Sequence, residues 1–332
     1  MLLLHPGVIA NLLASLIIST MVLYSSYYGL QILRNWDIES GSELQLVLER
    51  KTYLVSTILS YVFALQLLSL FMYVFTADNL HPLFVGAMCA AGTLNLNAFG
   101  YPTLLLKMLN FILAGLWLIL NHTDNQGYDY PLIKKKYALL AMIAPLILIE
   151  TLLEFSYFLN LRADVITSCC GSLFSSEQGQ GLGSDMAALP PGPMLWFFYG
   201  AVLITLGSGF YYYRKGRGGY FYSFASIVLF LTSIVSIISF ISLYIYELPT
   251  HHCPFCIVMP EYDYIGYLLY IALFIAVVAG TGIATLIPLR GIESLREVIP
   301  ALTRKLTLTS LVLFFGFASA VTYRIAISNL IM

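Results

Sequence analysis

Long apolar runs, each closed by a short cluster of polar or charged residues, recur from one end of the chain to the other. Eight of them, at about 7–33, 53–77, 101–120, 137–160, 195–213, 220–246, 265–289 and 306–328, reach the roughly 20 residues a helix needs to cross about 30 Å of hydrocarbon. The pattern predicts an all-α fold, a polytopic integral membrane bundle of about eight transmembrane helices. The connections are too short for a soluble domain. The chain therefore reads as a single transmembrane domain, 1–332, within which 1–136, 137–290 and a C-terminal helix in 291–332 can be distinguished. The segment at 34–52 alternates apolar Leu44, Val47 and Leu48 with Glu43, Glu49, Arg50 and Lys51, as expected of an amphipathic helix lying along the membrane surface.

Composition agrees with this class. Hydrophobic residues make up 59%, charged residues 10%, and the mean hydropathy is +0.85. The position of charge then sets an expected orientation. With both termini outside, four inner connections collect Arg34, Arg50 and Lys51; Lys134, Lys135 and Lys136; Arg214, Lys215 and Arg217; and Arg290, Arg296, Arg304 and Lys305. Only Lys107, Arg162 and Arg324 fall elsewhere. The opening Met1-Leu2-Leu3-Leu4-His5-Pro6 has no basic n-region of the kind found in a cleavable signal peptide, so the first helix is expected to remain. The abundant Tyr and Phe, 24 and 21 residues, read as an interfacial belt. A net charge of −1 gives no indication of nucleic acid as a partner.

The predicted outer connections carry the chemistry. The first, Asp78 to Gly100, holds His81, Cys89 and a stretch, Leu83 to Leu94, that is apolar but too short to span; with the Asn95-Leu96-Asn97 that follows, 83–97 reads as a re-entrant segment packed against protein. The second, Leu161 to Met194, contains Cys169-Cys170, then a Gly, Ser and Gln-rich stretch, then Pro190-Pro191-Gly192-Pro193. The third contains His251-His252-Cys253-Pro254-Phe255-Cys256. All five cysteines thus lie in or beside predicted outer loops.

Cys253 and Cys256 form a C-x-x-C pair, a spacing that suits a redox-active disulfide, a soft-metal site completed by His251 or His252, or a plain structural disulfide. Were Cys256 near the start of the following helix, the helix dipole would favour its thiolate. A disulfide between the adjacent Cys169 and Cys170 would be strained, so these two are expected to exchange with partners elsewhere or to bind metal. Cys89, among Gly86, Ala87, Ala90, Ala91 and Gly92, reads equally as a small packing residue and as a thiol with a chemical role.

Two loop cysteines, two transmembrane helices, then C-x-x-C at the start of a third helix is an order that resembles the vitamin K epoxide reductase family and, less closely, the DsbB-like membrane thiol oxidoreductases. The run Leu243-Tyr244-Ile245-Tyr246-Glu247 before Cys253-Pro254-Phe255-Cys256-Ile257 is similar to bacterial members, and the resemblance covers about residues 137–290. It implies that Cys253 and Cys256 face a membrane quinone and that Cys169 and Cys170 relay electrons to an extracytoplasmic thiol protein, in a bacterial inner membrane. In this chain the loop cysteines are adjacent rather than spaced, and four further helices lie outside the resemblance.

The last candidates are charges inside apolar runs. Glu150 and Glu154 are four apart and so share a helix face, and Lys107 sits in the third run. They are expected either to form an ion pair that fixes helix packing or to make a proton or ion path. The reading favoured by the order of loops and helices is a quinone-linked thiol-disulfide oxidoreductase. The alternatives are a soft-metal transporter or sensor built on Cys169, Cys170, His251, His252, Cys253 and Cys256, and a non-catalytic subunit of a membrane complex. No Walker loop, dinucleotide fingerprint, zincin helix or haem-attachment motif occurs.

Overall fold

A computed structural model of the protein describes residues 2–37, 40, 42–167 and 182–330. Among these residues there is no strand, and eight helices are long and apolar enough to cross a membrane: Pro6–Asn35, Glu43–Leu83, Gly100–Asp124, Ile133–Leu159, Pro191–Lys215, Gly219–Tyr246, Ile265–Leu289 and Val298–Ile327. The protein is an all-α integral membrane bundle. Its helices carry broad faces of exposed Leu, Ile and Phe, such as Leu13, Leu16 and Ile17 on the first, the surface lipid requires.

The elements are α1 (Pro6–Asn35), α2 (Glu43–Asn79), a short α3 (Ala90–Leu94), α4 (Gly100–Asp124), α5 (Ile133–Leu159), a short α6 (Leu182–Ala187), α7 (Pro191–Lys215), α8 (Gly219–Ser236), α9 (Ser242–Tyr246), α10 (Ile265–Leu286) and α11 (Val298–Ile327). A π-helical turn, Ile237–Ile241, joins α8 to α9, so the two form one continuous span. One expectation is corrected. The amphipathic stretch is not a separate surface helix: α2 starts at Glu43 and runs 37 residues without interruption. That is about 55 Å, well beyond the hydrocarbon thickness. Leu48, 1% exposed, joins the same buried cluster as Trp36, which holds the extension against protein.

Two compact units are present. The first comprises Met1–Thr76, Asn97–Leu161 and Pro288–Leu302. In it α1 and α4 both pack on α5, around Ile18, Val22, Phe63, Trp117, Tyr137 and Ile143. The indole of Trp117 donates to the Lys136 carbonyl at 3.0 Å. Below it, the Lys136 ammonium lies 2.6 Å from Asp124 Oδ2 and donates to Asn121 Oδ1 at 3.1 Å, while Asp124 Oδ1 accepts from the Leu132 amide. Lys136 and Asp124 are both fully buried. Lys136, read from sequence as one of three basic residues in an inner connection, is thus a paired internal charge.

The second unit comprises Ala77–Leu96, Arg162–Ile287 and Thr303–Met332. Here α8 is central, packed by α7 on one side and α10 on the other. The most apolar stretch of Gly219–Tyr246 is 67% buried, against 22% for that of Pro191–Lys215, which is why the former is the axis of its unit and the latter its periphery.

Removing one member of a buried ion pair strands the other charge, at a penalty of about 3–5 kcal/mol. Lys136→Met should therefore lower the unfolding midpoint of detergent-solubilised protein sharply. Adding Asp124→Asn, which removes the stranded charge but keeps the oxygen that caps Leu132, should restore much of the loss. A Lys136→Met protein with the wild-type midpoint would show that the pair contributes nothing, and a double variant no more stable than the single would show that the stranded charge is not the cause of the loss.

Candidate functional site

The second unit gathers cysteines from two distant loops. Cys89 lies just before α3, and its sulfur is 3.6 Å from that of Cys253, 164 residues along the chain. The sulfurs of Cys89, Cys253 and Cys256 all lie within 4.8 Å of one another, and all three residues are buried. Among the described residues this is the one group of His, Cys, Asp or Glu with ligand atoms converging closely enough to hold a metal ion.

Local structure explains the convergence. The segment before Cys89 turns at Gly86, whose φ of +88° is a left-handed conformation that non-glycine residues rarely adopt. A Cβ there would lie 2.2 Å from the carbonyl oxygen of Thr167. Thr167 ties itself to this segment twice: its amide donates to the Val85 carbonyl at 3.1 Å and its hydroxyl to the Gly92 carbonyl at 3.0 Å. Asp78, near the end of α2, accepts the Ala90 amide at 3.1 Å and so fixes the residue next to Cys89. Within 83–97, the segment read from sequence as re-entrant, Ala90–Leu94 forms a five-residue helix, every residue of which is buried.

The C-x-x-C loop is held by its backbone. Tyr246 donates its hydroxyl to the Cys253 carbonyl at 2.5 Å, and Tyr270 donates to the Pro254 carbonyl at 2.7 Å. On the other side α10 comes close through Gly266, where a Cβ would stand 2.8 Å from the Ile257 carbonyl. Cys256 opens a three-residue 3-10 turn, and α10 starts nine residues later, after left-handed Asp263 and Tyr264. The expected helix dipole at Cys256 is therefore absent, because the chain must turn twice more before it becomes helical.

The two histidines separate in role. His251 Nε2 is 3.4 Å from the Cys256 sulfur, and its ring meets Tyr246 edge-on at 4.6 Å. Burial lowers its pKa below the ordinary imidazole value, with a smaller contribution from His252 in the same direction and an opposing one from Cys89. A neutral ring, able to accept a thiol proton, is favoured. His252 is turned away: its Nδ1 donates to the Ile238 carbonyl at 2.9 Å, within the π-helical turn whose shifted hydrogen bonding leaves such a carbonyl available. Among the described residues neither histidine belongs to the converging group, which consists of three sulfurs with His251 at its edge. Cys169 and Cys170 lie outside the described residues.

Glu150, Glu154 and Lys107 come together in the first unit. The Lys107 ammonium is 2.9 Å from Glu150 Oε1 and 3.0 Å from Glu154 Oε2. The expected pairing is present, with both carboxylates on one cation.

Comparisons with family models, curated proteins and solved structures return no match for this chain. Fold and site define the class: an integral membrane helix bundle with a buried three-cysteine centre.

Chemically, the centre offers two uses. Sulfurs at 3.6 Å are near enough for exchange once a bond of about 2.05 Å forms and its neighbours shift. Three soft donors with an imidazole beside them also match the preferences of a thiophilic cation. The ring of Tyr246 meets those of His251 and Tyr262 in edge or tilted contact.

If Gly86 is what lets the Cys89 segment close on Thr167, then Gly86→Ala should destabilise the centre by about 1–3 kcal/mol from backbone conformation alone, with the steric clash in addition. Gly192→Ala, where a Cβ meets nothing within 4 Å, is the matched control. Labelling by a thiol-reactive dye after reductant, followed against temperature, should begin earlier in Gly86→Ala. Coincident labelling curves for the two variants would remove Gly86 from the argument.

Proposed function

We propose that the protein is a membrane thiol-disulfide oxidoreductase in which Cys89, Cys253 and Cys256 exchange one disulfide among three sulfurs. The observation that carries this is the approach of Cys89 to Cys253 within a buried C-x-x-C site. Cys253 is the shared sulfur. Neutral His251 takes the thiol proton of Cys256, and the resulting thiolate attacks Cys253 in a Cys89–Cys253 disulfide. A Cys253–Cys256 bond forms, the Cys89–Cys253 bond breaks, and Cys89 leaves as a thiolate that takes up a proton. No electrons are gained or lost by the three sulfurs together in that step.

Net oxidation of the Cys253–Cys256 dithiol to a disulfide releases two electrons and two protons, and a membrane quinone, when bound, supplies the acceptor for both. Cys169 and Cys170 are proposed to link the centre to an extracytoplasmic thiol protein. Thr167, two positions before Cys169 in sequence and hydrogen-bonded to the Cys89 segment, supports that placement. The charge distribution supports an orientation with these loops outside a bacterial inner membrane.

A soft-metal centre is the second reading, favoured by the mutual 4.8 Å convergence of the sulfurs. It would make the protein a sensor or transporter for a thiophilic cation.

Cysteine-to-serine variants separate the two. In the redox reading, Cys253→Ser and Cys256→Ser each reduce quinone-analogue turnover to background. Cys89→Ser blocks exchange with a thiol substrate while leaving oxidation of the Cys253–Cys256 dithiol by the analogue intact. In the metal reading, purified protein carries stoichiometric metal that all three variants lose alike. Retained turnover in both Cys253→Ser and Cys256→Ser sinks the oxidoreductase.

A further inference from the structure

The ionisable cluster of the first unit contains one cation and two carboxyl groups. Lys107, Glu150 and Glu154 are all essentially inaccessible, with side-chain exposures of 0%, 3% and 0%. Were both glutamates ionised, the cluster would hold an uncompensated negative charge among apolar helices, which is strongly unfavourable.

Hydrogen bonding identifies which carboxyl is charged. Glu150 faces donors only: Gln66 Nε2 at 3.0 and 2.8 Å to its two oxygens, Asn110 Nδ2 at 2.6 Å to Oε2, and Lys107 at 2.9 Å to Oε1. That is the surrounding of an ionised carboxylate. Glu154 differs. Its Oε2 meets Lys107 and the hydroxyl of Ser15, but its Oε1 has no partner although the residue is completely buried. A second acceptor within the cluster, Asn110 Oδ1, is likewise unpartnered and buried. A region with unfilled acceptors and one excess negative charge lacks a proton.

We propose that Glu154 is a proton-binding site within the membrane. Glu150 is the permanent counter-ion of Lys107, and Glu154 is the member of the triad that takes up and gives up a proton. The groups facing it are accounted for helix by helix. From α4 comes Lys107, and from α5 itself Glu150 and Tyr157. From α2 comes Tyr73, whose ring lies 5.5 Å from the Lys107 ammonium and whose hydroxyl donates to the Gly100 carbonyl; from α1 comes Ser15, which does not titrate. The site stands independently of the cysteine centre.

Infrared difference spectroscopy of the full-length protein in nanodiscs, in H2O and in D2O, tests the assignment. Wild type should show the carbonyl stretch of a protonated carboxylic acid, shifted by deuterium. The band should vanish in Glu154→Gln and persist in Asp78→Asn, which removes another buried carboxyl. Because an amide mimics a neutral carboxyl, Glu154→Gln should also keep the wild-type unfolding midpoint, whereas Glu150→Gln should lower it. A wild type without the band, a band that survives Glu154→Gln, or a Glu154→Gln protein that fails to fold would each overturn the proposal.

Discussion

Buried irregular backbone must find hydrogen-bond partners, and the cysteine centre is built almost entirely of such backbone. A helix satisfies its own amides and carbonyls, but the loops that carry Cys89 and Cys253 cannot, and each unmet group would cost about 1–3 kcal/mol. Side chains take over the task. Asp78 accepts the Ala90 amide, Thr167 donates to Gly92, Tyr246 to Cys253, Tyr270 to Pro254, and His252 to Ile238. The polar residues around the sulfurs are thus largely committed to holding the chain in place. The His251 ring nitrogen, by contrast, lies within reach of the Cys256 sulfur.

The same division between holding and reacting recurs in the first unit. Lys136 and Asp124 form a neutral buried pair with further partners, a closed arrangement suited to fixing α4 against α5. The Lys107 cluster shares the geometry but not the balance, since it has one carboxyl too many. Charge count, rather than burial or distance, distinguishes a structural ion pair from a site that exchanges something.

What sequence could reveal followed the range of each interaction. The eight spans were legible because an apolar run of helical length is a local signal. Glu150 and Glu154 were legible as a pair through their four-residue spacing, and Lys107 as their partner because a cation in an apolar run needs one. Gln66, Asn110 and Ser15 were not, since uncharged polar residues within spans have many ordinary uses. Cys89 was the main loss. Its small neighbours describe close packing equally well, and the partner that gives it chemistry is in another loop, visible only once the chain is folded. The start of α10 at Ile265 was legible from the apolar run; the separation of Cys256 from it was not, since Asp263 and Tyr264 adopt left-handed backbone without the glycine that would have marked a break.

Electrostatics narrows what the cysteine centre can do under either reading. Three thiolates within 4.8 Å would concentrate three negative charges in a buried volume beside the Asp78 carboxyl, a state that protein interiors do not sustain unpaired. The imidazole in contact with the group is no fixed cation, since burial disfavours its charged form. Each sulfur must therefore hold a proton, share a disulfide, or bind a cation that supplies the missing charge. Under the redox reading, electron transfer would have to carry protons with it. An acceptor that takes two electrons and two protons together leaves the buried site neutral before and after the reaction, whereas a one-electron carrier would leave it charged.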